Sequence, residues 1–132
     1  MTELKESHRK FLEQPFVGVV TTLRSDGSPH NTVVWVDVDE QGPSFNTAYP
    51  RVKPRHLEQN PHVALTVVDP NDPYKWVTID GRAELTTDGA DAQIDKRSEK
   101  YTGNPKYQGH RPDEQRVTVR ILPEHVIARG LE

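Results

Sequence analysis

Three cations in five residues stand out as the stretch best suited to chemistry. Pro50-Arg51-Val52-Lys53-Pro54-Arg55-His56-Leu57 sets Arg51, Lys53 and Arg55 at alternate positions, in a chain whose formal net charge is −3. A cationic knot on an acidic background calls for a local anion, and phosphate is the common one. Pro54 biases Lys53 toward an extended conformation. Pro54 also suits the first position of a helix, where its missing N–H would be unpaired anyway. Residues 55–60 then make a short helix that must stop before Pro61. Upstream, residues 44–49 read as a strand. The cations therefore fall at a strand-to-helix junction, where free N–H groups and the positive end of the helix dipole favour an anion. On an extended backbone, Arg51, Lys53 and Arg55 share one face. A solvated basic loop is the plain alternative.

Other chemistry is thin. The six histidines lie at 8, 30, 56, 62, 110 and 125, and none has a zinc-ligand spacing, so no metal site is expected. No GxSxG marks a nucleophilic serine. There is no GxGxxG and no Walker loop. Asp37 and Asp39 lie two apart on a strand and share a face, but an exposed strand end before a turn is the plainer reading. The chain has no cysteine, which removes disulfides and thiolate chemistry. A phosphate site without its own nucleophile, metal or acid–base pair fits a protein that binds and orients a cofactor.

The elements that must position these residues are mostly strands. At 132 residues the chain is expected to be one domain, 1–132, with a modest core drawn from 33% hydrophobic residues. Residues 2–13 predict a helix with Leu4, Phe11 and Leu12 on one side. Residues 16–23 and 30–38 read as a hairpin around the turn at 25–29. A turn at 39–42 leads into the strand at 44–49. Residues 63–68 form a continuous apolar strand, and 69–73 a loop. The next strand, 75–85, is bent at Gly81. Thr87 or Asp88 then caps a helix of about 13 residues carrying Ala92, Ile94 and Tyr101. Residues 103–112 are a polar loop. A strand at 116–122 is broken by Pro123, and 125–129 is a last short strand. Strands joined by short turns predict an antiparallel sheet curled into a barrel, with six or seven strands and two or three small helices. The 20 acidic against 17 basic residues, with no basic stripe beyond 51–55, argue against nucleic-acid binding. No apolar run approaches the roughly 18 residues of a membrane span. No signal-peptide pattern opens the chain. The expectation is a soluble cytoplasmic protein.

Four blocks in order resemble the split β-barrel family of flavin and deazaflavin oxidoreductases, named after pyridoxamine phosphate oxidase. They are residues 19–30, with Asp26-Gly27-Ser28-Pro29; residues 50–57, with Asn60-Pro61 behind; residues 76–85; and the closing strand 116–126. The resemblance covers nearly the whole chain and implies a six- to seven-stranded antiparallel split β-barrel forming a homodimer, with two cofactor sites at the interface. It implies that Arg51 and Lys53 hold the cofactor phosphate, aided by Arg55. Asn46, Thr47 and Ala48 would run along the phosphate and ribityl chain, and Thr32, Val33 and Val34 would lie beside the ring system. Trp35, Tyr74 and Trp76 would line the substrate pocket or the subunit contact, or pack as ordinary core. The family usually has asparagine where His56 stands. The short chain and the cationic block look most like the branch that uses the deazaflavin F420, whose acidic tail gives Arg55 a purpose. FMN, with a phosphate and no tail, is the alternative. The resemblance implies a reductase passing a hydride from F420H2 to an electron-poor small molecule: an enone, a quinone-like compound or a tetrapyrrole. The alternatives are an FMN-dependent oxidoreductase, or a carrier of deazaflavin, flavin or haem. A haem carrier would take His30, His56 or His62 as axial ligand.

Overall fold

The computed structural model describes residues 4–131. Among these the chain runs α1 (Glu6–Glu13), β1 (Gly18–Leu23), β2 (Pro29–Val34), β3 (Val36–Asp39), β4 (Gly42–Tyr49), α2 (Val52–Gln59), β5 (His62–Asp69), β6 (Asp72–Thr86), α3 (Ala90–Thr102) and β7 (Gln115–Arg129). The strands form one antiparallel sheet in the order β2-β1-β5-β6-β7-β4-β3. The predicted helix at 2–13 starts only at Glu6; residues 2 and 3 lie outside the described residues.

A single residue explains why the sheet curls. The predicted strand 30–38 is two strands that change partner at Trp35. β2 pairs with β1, and β3 pairs with β4. These lie at opposite ends of the strand order. Two residues of chain span at most about 7 Å, whereas the edges of a flat seven-stranded sheet would stand about 29 Å apart at 4.8 Å per strand. The sheet must therefore roll until its edges meet, with Trp35 at the seam.

Strand alternation fills the inside of the roll. Val20, Val36, Phe45, Leu65, Val67, Val77, Ile79, Val119 and Ile121 are buried. Each such side chain contributes about 1.5–3 kcal/mol by leaving water. Leu4, Phe11 and Leu12 of the N-terminal segment and Leu57 of α2 join the same core. Gly18 is buried, and a Cβ there would come within 2.8 Å of Leu65, so the packed position has no room for a side chain.

Two long strands bend without breaking. β6 shifts register between Asp80 and Gly81, at the predicted glycine, where a Cβ would lie 2.0 Å from the Leu122 carbonyl oxygen. Pro123 sits opposite Gly81 at this same irregularity. The ladder already lapses there, so the missing proline N–H removes nothing. The predicted break at Pro123 is therefore absent, and β7 runs on as one strand of 15 residues.

α2 begins earlier than the sequence suggests. Its N-cap is Arg51, so Lys53 is helical and Pro54 is the third helical residue. The first turn has no intrahelical use for that N–H, which lets the proline stand and overrides its bias on Lys53. α3 keeps its predicted 13 residues, but its N-cap is Gly89 in the left-handed conformation rather than Thr87 or Asp88. Ala90 and Ile94 face the core, whereas Ala92 is exposed.

Candidate functional site

The cationic block opens onto a cleft of about 200 Å³ between the barrel seam and α3. Val17, Val33, Val34, Trp35 and Ile94 give it an apolar wall; Arg51, Lys53 and Arg116 give it a cationic end. Asn46 and Tyr107 complete the lining. Trp35 is held in place by aromatic neighbours. It stacks on Tyr101 with centroids 5.5 Å apart and meets Tyr107 edge-on at 5.8 Å. The Tyr101 hydroxyl donates to Phe16 O at 2.6 Å and accepts from Val36 N at 3.0 Å, which pins the seam to α3.

The three cations differ in how they are paired. Arg51 makes a two-point contact with Glu114, Nε to Oε2 at 2.8 Å and Nη2 to Oε1 at 3.2 Å. That contact raises the Arg51 pKa and holds the Glu114 carboxyl below its usual range. Arg116 is buried, donates from Nε to Asn46 Oδ1 at 2.8 Å, and lies 5.2 Å over the Tyr107 ring. Lys53 is half-buried, and no described acidic group pairs with its ammonium. Burial first, then the nearby charges of Arg51 and Arg116, lower its pKa. An anion beside it would offset the repulsion from Arg51 and Arg116 and restore the charged form that burial disfavours.

A polar chain stiffens the floor. Asn46 Nδ2 donates to Ala90 O at 2.8 Å and to Gln93 Oε1 at 2.9 Å. Thr118 Oγ1 also donates to Gln93 Oε1, and Gln93 Nε2 donates to Ser44 Oγ, both at 3.0 Å. β4, β7 and α3 are thus tied together directly beneath Arg116.

The sequence matches the family described as pyridoxamine 5'-phosphate oxidase over residues 4–130. The chain belongs to that family. It is similar to the F420H(2)-dependent biliverdin reductase of Mycobacterium tuberculosis, with 29% identity over 96% of this chain and 88% of that protein. It is 35% identical to a pyridoxine/pyridoxamine 5'-phosphate oxidase of Pseudomonas fluorescens over 59% of this chain, but that match spans only 37% of the relative. A solved structure named as an F420 reductase superposes with a TM-score of 0.80 at 28% identity, covering 94% of this chain and 98% of that one. The protein is an oxidoreductase of the split-barrel family.

Against that family background, the residues expected at the cofactor divide clearly. Val33, Val34, Trp35, Asn46, Arg51 and Lys53 line this cleft together. Thr32, Thr47, Ala48 and Arg55 do not. Thr47 and Ala48 are buried within β4, and Ala48 pairs with Arg116 in register. Arg55 is exposed on α2. The shared face expected of 51, 53 and 55 requires an extended chain. On a helix, positions two apart project about 200° from one another, which turns Arg55 away from Lys53. Tyr74 is 82% exposed and Trp76 half-buried, and neither lines the cleft. Asp37 and Asp39 do not act together: Asp37 pairs with Arg97 and Asp39 with Arg120. None of His30, His56 and His62 lines the cleft, and His56 Nδ1 lies 2.9 Å from Thr22 Oγ1. Sequence reasoning missed Val17, Ile94, Tyr107 and Arg116. The one signal was the polar alternation of Arg116, Thr118 and Arg120 along an otherwise apolar strand.

Proposed function

We propose that the protein is an F420H2-dependent reductase, acting on an electron-poor small molecule such as an enone, a quinone-like compound or a tetrapyrrole. The observation that carries this reading is Lys53: a half-buried cation without an acidic partner among the described residues, at one end of a cleft whose other end is apolar. A cationic end and an apolar end in one cleft suit the phosphate and the ring of a deazaflavin or flavin cofactor in polarity. The similarity to an F420H(2)-dependent biliverdin reductase and to an F420 reductase supports the same cofactor. When bound, the deazaflavin would supply the hydride.

The chain's own part is binding and alignment. Arg51 and Lys53 hold the phosphate. Val33, Val34 and Trp35 wall the ring and keep water from it. The seam contacts of Tyr101 fix Trp35, so the acceptor meets a rigid surface.

A homodimer belongs to this reading. Val33, Val19, Thr66, Thr78 and Ile127 oppose one another in turn across five strands. Val19, Val33 and Ile127 are exposed there at 42%, 66% and 57%. Val68, also exposed, opposes Trp76 in the same sheet. A second copy on this face would bury the row. Val33 belongs to both row and cleft, so the same contact would close the cofactor site.

FMN is the second reading, and Arg55 favours it. The cation expected to serve an acidic tail does not line the cleft, so a phosphate alone suffices. Titrating the protein with F420 and with FMN, followed by fluorescence, separates the two. F420 is expected to bind tighter; FMN binding at least tenfold tighter would overturn the F420 assignment. F420H2 that binds but is not oxidised across enones, quinones and biliverdin would make the protein a carrier.

A further inference from the structure

We propose that Arg116 is the third phosphate ligand of this cleft, in the role the sequence alone gave to Arg55. The inference rests on the cofactor reading above and extends it to a residue of β7. Arg116 is 4% exposed. A buried guanidinium is costly unless its donors are met. Asn46 meets Nε, and the Tyr107 ring supports the guanidinium plane. Nη1 is buried and has no hydrogen-bond partner. The Glu114 carboxylate lies 3.8 Å from it, too long for a hydrogen bond. Both Glu114 oxygens already accept from Arg51.

The charges point the same way. Arg51, Lys53 and Arg116 contribute three positive charges and Glu114 one negative, which leaves two in excess (3 − 1 = 2). The phosphate monoester of FMN carries about −1.5 to −2 near neutral pH and offers three acceptor oxygens; the phosphodiester of F420 carries one charge and offers two, with its acidic tail beyond. Either would meet both the Lys53 ammonium and the free Arg116 donor. Arg97 Nε and Arg120 Nε are also buried without a partner, but neither lines the cleft; Arg116 is the one of the three that stands there, with Lys53 in the same lining. Asn46 then becomes a positioning residue. Its Nδ2 donors are spent on Ala90 O and Gln93 Oε1, so its oxygen is left to face Arg116.

The test compares ligands with and without the phosphate: FMN against riboflavin, which isolates the phosphate, and F420 against its ribityl deazaflavin core, which lacks the phosphate and the acidic tail together. Arg116→Gln should weaken FMN and F420 at least tenfold and leave riboflavin and the deazaflavin core within threefold. Arg55→Ala should leave all four within threefold. Arg116→Lys keeps the charge but loses the planar fork, and serves as the test if Arg116→Gln does not fold; it too should lose phosphate-bearing ligands selectively. Equal loss of phosphate-bearing and phosphate-free ligands would mean a packing role and overturn the assignment. So would FMN and F420 affinities within threefold of wild type in an Arg116 variant. If wild type shows no preference for the phosphate-bearing member of either pair, the cofactor reading falls together with this one; a wild-type preference that persists unchanged in the Arg116 variants removes Arg116 alone.

Discussion

Replacing Lys53 with methionine should raise the stability of the ligand-free protein and lower its cofactor affinity. The lysine stem is half-buried, and its charge faces Arg51 and Arg116 without an acidic partner among the described residues. Methionine keeps the length and the buried methylenes while removing the repelled charge. Relief of strain at a binding site commonly stabilises by up to about 1 kcal/mol, a rise of about 4 °C in Tm for a chain of this size. Binding should move the other way. One charge-assisted hydrogen bond is worth about 1.5–3 kcal/mol, or about 10- to 150-fold in Kd at 1.36 kcal/mol per decade. The assay pairs thermal melts of the ligand-free protein with fluorescence titrations of F420, FMN and riboflavin. Riboflavin affinity should stay within threefold. A variant that melts lower and binds the phosphate-bearing cofactors as wild type does would refute the reasoning, because Lys53 would then be a structural residue.

Gly81→Ala should destabilise by about 2–3 kcal/mol in urea, since the new Cβ meets the Leu122 carbonyl rather than a yielding side chain. Lys100 donates to Leu12 O and Val36 O, and burial pushes its pKa down to about 8 from 10.5. Between these values the unfolded chain holds a proton that the folded chain has given up, so this group's contribution makes stability rise with pH across that window. The full shift of 2.5 units (10.5 − 8) is screened by partial exposure to about 1–2 kcal/mol. Urea titrations at pH 7 to 10 should therefore show a steeper rise in wild type than in Lys100→Met, and parallel curves would remove the effect. Ile127→Asp on the exposed row should halve the mass measured by sedimentation if the homodimer forms through that face; an unchanged dimer would place the contact elsewhere.

What the sequence disclosed follows from how local each signal is. The Gly81 bend, the 25–29 turn and the length of α3 are written in adjacent residues, and the structure has them. Pro123 looked like a breaker because a lone strand cannot reveal that its partner bulges opposite it. Trp35 looked like mid-strand because alternation continues through it; only the pairing of its two neighbours with different strands divides it. The site shows the same split. Arg51, Lys53 and the Val33–Trp35 run could be named from short motifs. Arg116 could not, because the β4–β7 register alone brings it over Ala48 and beside the cations. Arg55, expected beside them from the family resemblance, does not line the cleft, because α2 begins at Val52 rather than at residue 55 and leaves it exposed on the helix.

The cleft takes its lining from the segment before β1, from β2, the seam, β4, α2, α3, the loop after it and β7. No hairpin or half of the chain contains it. Whatever binds there therefore recognises only the completed fold, and its binding energy adds to global stability as RT ln(1 + [L]/Kd), about 2.7 kcal/mol at a hundred times Kd. The melting temperature of the whole protein thus reports occupancy of one small cleft, and a cofactor in short supply would set how much of the folded population resists proteolysis.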